Sequence, residues 1–291
     1  MAIKRPKSEK ISAFVIHLIL LVFSLCCLYP ILLTFMSSIS SEKSIASNGF
    51  QLIPEQFSLL SYKMILQDKS IFNAYGVTIF VTVVGTLIAV LFSGMAGYAM
   101  SVQKVKYRNT VAMFFFIPMV FGAGLAPWYL VCTQILHFQN NMLGLIVPGL
   151  ISPFNIFLMR NYFKTIPASL IESAEIDGCS NLRAFIQIIL PLSSPIIATV
   201  SLFVAMGYWN DWTNALWFID DRNLYPLQYF LYRIKDMMEM VKNNGGMSSG
   251  QIPTQTFQLA TLFVTIGPII FLYPFAQKYF IKGIMVGGVK G

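Results

Sequence analysis

Apolar and polar positions along the 291-residue chain fall into long blocks. Six apolar stretches, residues 11–36, 74–100, 110–136, 142–159, 192–219 and 257–275, run for 26, 27, 27, 18, 28 and 19 residues. A helix of about twenty apolar residues crosses the ~30 Å hydrocarbon core, and tilt absorbs a few residues either way. Asp211 is the only Asp, Glu, Lys or Arg inside all six stretches. A helix on the surface of a soluble protein keeps a polar face along its length, and these stretches have none. The pattern predicts an all-α, polytopic membrane protein with six transmembrane helices.

The segments between the stretches carry their own periodicity. Lys4, Arg5, Lys7 and Lys10 precede the first stretch as a signal peptide's basic region would, but 26 apolar residues exceed the 7–15 of a cleavable one, so it is read as a retained span. Residues 37–73 read as a surface loop with a short helix around 59–66. In 228–241, Phe230, Ile234, Met237 and Val241 recur every three or four residues, one face of a helix. Residues 244–250 are rich in Gly, Ser and Asn and read as a turn. In 160–191, Pro167 opens a predicted helix with Leu170, Ile171, Ala174 and Ile176 as its apolar content and Glu172 and Glu175 in its early turns; Gly178 ends it. Asn181 precedes a second helical run holding Phe185, Ile188 and Ile189, stopped by Pro191.

Charge then orients the chain. Hydrophobic residues make up 56% and charged residues 11%, against about 25% charged in soluble domains. Of 20 Lys and Arg, 13 lie in segments 1–10, 101–109, 160–191 and 276–291, and seven in the longer segments 37–73, 137–141 and 220–256. Basic residues accumulate on the cytoplasmic side, which predicts a multi-pass plasma-membrane protein with both termini in the cytoplasm. The net charge of +8 is thus a property of topology. No basic stripe interleaves with aromatics, so no nucleic acid is expected as a partner. The organisation is a cytoplasmic N-terminus (1–10), a six-helix domain (11–279) that includes the 160–191 loop, and a cytoplasmic tail (280–291). Cys26, Cys27, Cys132 and Cys179 form no disulfide framework and read as packing residues.

Candidate chemistry is sparse. Gly85, Ala89, Ser93 and Gly97 recur every four residues and predict a close helix–helix contact. Pro118, Gly122, Gly124 and Pro127 interrupt the third stretch, and Pro148 and Pro153 the fourth, as broken helices lining a path do. Tyr208-Trp209-Asn210-Asp211-Trp212 places a carboxylate, an amide and three aromatics in the fifth stretch. Aromatic faces beside amide and carboxylate groups suit sugars, so these five are candidates for a substrate path. The other reading of the cluster is an interfacial aromatic belt with Asp211 capping or pairing structurally. His17 and His137 have no metal-ligand neighbours at binding spacing, and neither a phosphate-binding loop nor a G-x-S-x-G turn occurs. No metal and no catalysis are expected of this chain.

One loop carries a family resemblance. Glu172-Ser173-Ala174, then Gly178, then Ile188, Leu190 and Pro191 resemble the EAA motif of binding-protein-dependent ABC importer permeases: E-A-A, three residues, G, nine residues, I-x-L-P. The spacing is the family's, and Ser173 in place of the middle Ala is the one departure. Asn73-Ala74-Tyr75, Gly94–Tyr98, the Trp209–Trp212 cluster, Tyr225-Pro226-Leu227, Gln277-Lys278-Tyr279-Phe280 and the ending Gly287-Gly288-Val289-Lys290-Gly291 are similar to carbohydrate-uptake permeases, of the MalG type in the LplC-like branch associated with oligosaccharides and polysaccharide fragments.

That resemblance implies a type I importer permease (MetI-like) fold in a bacterial cell membrane. It implies a heterodimer with a second homologous permease, two ATPase subunits that bind ATP and Mg, an extracytoplasmic solute-binding protein and a sugar substrate, with no cofactor in this chain. Glu172, Ser173, Ala174, Asp177, Gly178, Ile188, Leu190 and Pro191 would couple to the ATPase, and Gly287–Gly291 would reach towards it. In the maltose-type system most substrate contacts belong to the other permease. Two other classes differ in testable ways: a secondary transporter with Asp211 as its ion-coupling site, whose uptake survives without ATP, and a membrane enzyme pairing Asp211 with His17 or His137, which fails when both histidines are replaced.

Overall fold

The computed structural model describes residues 7–243, 253–268 and 270. The 244–250 turn, the end of the sixth apolar stretch and the tail with Gly287–Gly291 lie outside the described residues. Among those described, regular structure is helical, with a single bridge between Ser40 and Phe57 the one extended pairing. The described helices pack as two units, residues 7–68 with 234–243 and 253–266, and residues 69–233.

In the first unit, α1 (Lys7–Ser38) is long and apolar, and its residues 11–32 are exposed apart from Ala13, while only Ser37 and Ser38 at its end are buried. A helix apolar on every side is built to be covered by lipid or another chain. Two short helices follow, α2 (Glu42–Asn48) and α3 (Leu60–Gln67), the latter at the position expected around 59–66. Ser41 starts α2 by accepting from the Ser44 amide at 3.2 Å. The helix over 254–268, which leads into the sixth apolar stretch, is anchored at its start by the Glu42 carboxylate. That carboxylate accepts from the Gln255 and Thr256 amides at 2.9 Å each and from the hydroxyls of Thr254 (3.1 Å) and Thr256 (2.9 Å). An anion at a helix N-terminus satisfies orphan amides and meets the positive end of the dipole.

The second unit is built on α4 (Lys69–Ser101), α8 (Pro153–Phe163) and α11 (Ser194–Trp209). Around them lie α5 (Arg108–Val120), α6 (Leu125–Ile135), α7 (Met142–Gly149), α9 (Ala168–Ile176), α10 (Asn181–Leu192) and α12 (Thr213–Phe218). Helix α13 (Leu227–Asn243) begins here, covering the segment whose periodicity predicts it. Between lipid-bathed helices the hydrophobic effect offers little drive, so close packing must hold them. The stripe Gly85, Ala89, Ser93 and Gly97 provides it, and all four are buried. A Cβ on Gly97 would sit 3.0 Å from the Arg160 nitrogen and 3.1 Å from the Ile156 oxygen, so α4 and α8 meet backbone to backbone. A Cβ on Gly85 would lie 2.5 Å from the Tyr208 ring, so α11 drives an aromatic into the groove that glycine leaves.

Three apolar stretches differ from straight spans. The third divides into α5 and α6, bent by 115° after Phe121-Gly122-Ala123-Gly124, with Pro118 inside α5. Thirteen residues of α5 reach only about 20 Å, short of a crossing. The fourth divides into α7 and α8, bent by 45° around Ser152 and Pro153. The fifth begins at Ser194, after an 85° break from α10, and stops at Trp209, because the Asp211 carboxylate starts α12. Two described helices are long and apolar enough to cross a membrane, and up to five spans result if each bent pair is one.

Candidate functional site

The 160–191 loop leaves α8 at Lys164 and turns into α9, with Pro167 as the residue before its first turn. Its end is a two-bond Schellman closure. The Gly178 amide donates to the Glu175 carbonyl at 3.0 Å and the Cys179 amide to the Ala174 carbonyl at 2.9 Å. This closure requires a left-handed residue, and Gly178 has φ +76°. Ser180 then caps α10 by accepting from the Arg183 amide at 3.4 Å, while Arg183 Nε donates to Gln187 at 3.0 Å. The stop expected at Pro191 is one residue early: α10 runs to Leu192. A wide turn over Phe185–Ile189, closed by the Leu190 amide on the Phe185 carbonyl, precedes the proline and leaves room for its ring.

Burial divides the loop into two faces. Ala174 is buried and Ile171 and Glu175 are half-buried, whereas Glu172, Ser173, Asp177 and Gly178 are exposed. Ile176 is 87% exposed, an apolar side chain held out at the tip. In α10, Phe185 and Ile189 are buried, Ile188 and Leu190 half-buried, and Pro191 exposed. Phe185 stacks on Tyr98 of α4 at 5.3 Å and fits against Gly94. Glu175 lies in the last turn of α9, not the early turns, and pairs there with Lys104, beyond the end of α4.

Glu175, followed by Glu172, holds the Lys104 ammonium above the ordinary lysine range. A raised folded pKa means that the pair's contribution is complete below lysine's unfolded pKa and fades as pH rises through the raised value. Lys104 is largely exposed, so solvent keeps that contribution small. A cavity of about 440 Å3 lies beside these contacts, lined by Met95, Tyr98, Lys104, Glu175, Leu182 and Phe185.

The 208–212 cluster splits by neighbour. Tyr208 is buried between Gly85 and Gly149 and donates to the Ile146 carbonyl at 2.7 Å. Trp209 is buried, and its indole N–H has no partner among the described residues. Asp211 accepts from the Thr213 amide (3.0 Å) and hydroxyl (3.1 Å), from the Asn214 amide (3.1 Å) and from the Asn214 side chain. That is a helix-starting carboxylate. Asn210 is exposed, and its oxygen accepts from Gln228 at 3.3 Å. Trp212 is exposed and stacks on Tyr232 at 4.8 Å, which stacks in turn on Tyr229. Sequence reasoning missed Lys104, Tyr232 and Gln228. The last two lie on the periodic 228–241 helix, and nothing in the sequence pairs positions 104 and 175.

Residues 89–286 match the family described as binding-protein-dependent transport system inner membrane component, over more than half of the chain. The chain belongs to that family. It is a membrane permease component, and the EAA-type spacing at Glu172–Pro191 falls within the matched residues. It is 38% identical over 263 residues to Protein LplC of Bacillus subtilis (strain 168), covering 90% of this chain and 89% of that one. It is 36% identical over 274 residues to the polygalacturonan/rhamnogalacturonan transport system permease protein YtcP of the same organism, covering 94% and 96%. Among solved structures, a chain from the crystal structure of a bacterial ABC transporter involved in the import of the acidic polysaccharide alginate superposes with a TM-score of 0.84 at 30% identity, covering 95% of this chain and 99% of that one. The fold is that of an ABC importer permease.

Proposed function

We propose that this permease is one half of a heterodimeric channel that imports oligosaccharides or polysaccharide fragments, fed by an extracytoplasmic binding protein and driven by two ATPase subunits. In this reading both termini and the 160–191 loop are cytoplasmic, and α9 seats in a cleft of one ATPase. The carrying observation is the exposed face of α9: Glu172, Asp177 and an apolar Ile176 stand out from a loop whose other face is tied down. Evidence for sugar as substrate comes from the relatives, of which YtcP is named for polygalacturonan and rhamnogalacturonan and the solved neighbour for alginate import.

Coupling follows from the connections of the loop. A push on α9 is relayed by α10, which grips α4 through Phe185 on Tyr98 and runs through the 85° break into α11. Both helices meet again at Gly85 and Tyr208. Closure of the ATPase would thus tilt two packed spans together, a rigid-body device. The Gly287–Gly291 tail is proposed to approach the ATPases as well.

For the path, Asn210 and Trp212 offer exposed amide and aromatic surface, extended by Tyr232 and Gln228, while Tyr208 and Asp211 shape the chain that presents them. Two measurements test this function. A host lacking the permease, offered galacturonan, arabinose and galactose oligosaccharides, should lose ATP-dependent uptake of at least one; unchanged uptake of all three opposes the sugar assignment. Trp212→Ala should lower uptake per assembled complex several-fold, since a stacked aromatic contact contributes about 0.5–1.5 kcal/mol; normal uptake per complex makes Trp212 an interfacial anchor.

A further inference from the structure

Three cations converge where α5 meets α8. Arg160 lies in the last turn of α8 and Lys164 caps that turn, its amide donating to the Arg160 carbonyl at 3.1 Å. Ala112 of α5 packs with Ile156 of α8 in one small core. Arg108 is one turn before Ala112 and Arg160 one turn after Ile156, and both charges act on the Lys164 ammonium. Arg160 Nε donates to the Met100 carbonyl at 3.3 Å, and its guanidinium lies over the Phe157 ring. Burial, then Arg160 and Arg108, hold the Lys164 ammonium below the ordinary lysine range. Among the described residues no carboxylate pairs with any of the three.

Like charges gathered by the fold without an acid call for an outside anion. The surface beside them says which kind: Val111, Phe114 and Ile117 of α5 are exposed within three turns of Arg108, and Tyr107 is exposed with Lys106 over its ring. A cationic cluster bordering an apolar helix face fits a phosphate that carries acyl chains better than a free ion.

We infer that Arg108, Arg160 and Lys164 form a binding site for the phosphate headgroup of an anionic phospholipid, on the face that the charge count assigns to the cytoplasmic leaflet. The site goes beyond the transport reading and does not depend on the substrate. Inner-leaflet acidic lipids attract juxtamembrane cations, and here the fold gathers three of them between two helices.

The test uses full-length permease in detergent, titrated with phosphatidylglycerol and phosphatidylcholine of matched acyl chains and followed by native mass spectrometry. Phosphatidylglycerol should bind preferentially, and Arg108→Gln, Arg160→Gln and Lys164→Gln should each weaken that preference about five-fold. Lys106→Gln, a charge loss on the same rim, should leave it within two-fold. The single variants keep the measurement decisive if the triple variant does not assemble. An equal loss with Lys106→Gln would overturn the site in favour of diffuse rim charge. Displacement of the lipid by millimolar inorganic phosphate would mark a soluble-anion site. If the variants instead lose ATPase association with lipid preference unchanged, the cluster is a protein-docking surface and the inference fails.

Discussion

The seam between α4 and α11 and the loop made by α9 and α10 use glycine for opposite purposes. At the seam, Gly85 is needed for what lies against it, since a Cβ there would meet the Tyr208 ring at 2.5 Å. In the loop, Gly178 is needed for its backbone, since φ is +76° and nothing lies within 4 Å of a Cβ. One region has no free volume, and the other presents its residues outward. The difference separates what holds the permease together from what it offers to a partner, and the two should fail differently when changed.

The largest effect is expected at the seam. Gly85→Val must displace Tyr208, whose ring is fixed by Gly149 and whose hydroxyl donates to Ile146. Overpacking costs about 1–3 kcal/mol in a core that can yield, and this one has glycine on both sides of the ring. The expected outcome is little or no permease in the membrane fraction, measured by immunoblot. Normal levels would show that the α4–α11 contact is looser than described.

Next comes Gly178→Val. The left-handed conformation costs a non-glycine residue about 1–2 kcal/mol, local to an exposed turn. The permease should therefore stay in the membrane at near-normal levels while copurified ATPase falls several-fold. If abundance falls and the remaining complex couples normally, Gly178 serves stability as Gly85 does and the contrast disappears.

The smallest effect belongs to the Lys104–Glu175 pair. Lys104→Glu or Glu175→Lys should leave abundance unchanged and alter substrate-stimulated ATP hydrolysis by no more than a few-fold, because an exposed pair contributes little. The double exchange should restore the wild-type value. Failure of the exchange to restore it would assign the effect to the individual charges facing a partner.

Much of both regions is legible in the sequence, for different reasons. A four-residue stripe of small side chains announces a close contact without saying with what; the partners, Tyr208 and the Arg160 backbone, lie far along the chain. The helix over Ala168–Ile176 is legible because its boundaries are local chemistry, Pro167 before it and Gly178 after it. The 115° and 85° bends are not legible, since proline and glycine in an apolar stretch are compatible with a kinked span or with two separate helices. The placement of Glu175 shows the same limit: its role depends on Lys104, 71 residues away. Within 208–212, composition groups five residues, but the fold gives Tyr208 to a helix seam and Asp211 to a helix start, leaving Asn210 and Trp212 at the surface.

The central claim is that the outward face of α9 is cytoplasmic and seats on an ATPase. Ile176, the most exposed apolar residue of that helix, tests it directly. In a chain whose Cys26, Cys27, Cys132 and Cys179 have been replaced, Ile176→Cys should crosslink to the ATPase subunit in inside-out vesicles and resist an impermeant thiol reagent applied to intact cells. Labelling of Ile176→Cys from outside intact cells, with no ATPase crosslink, would contradict both the orientation and the coupling role of the loop.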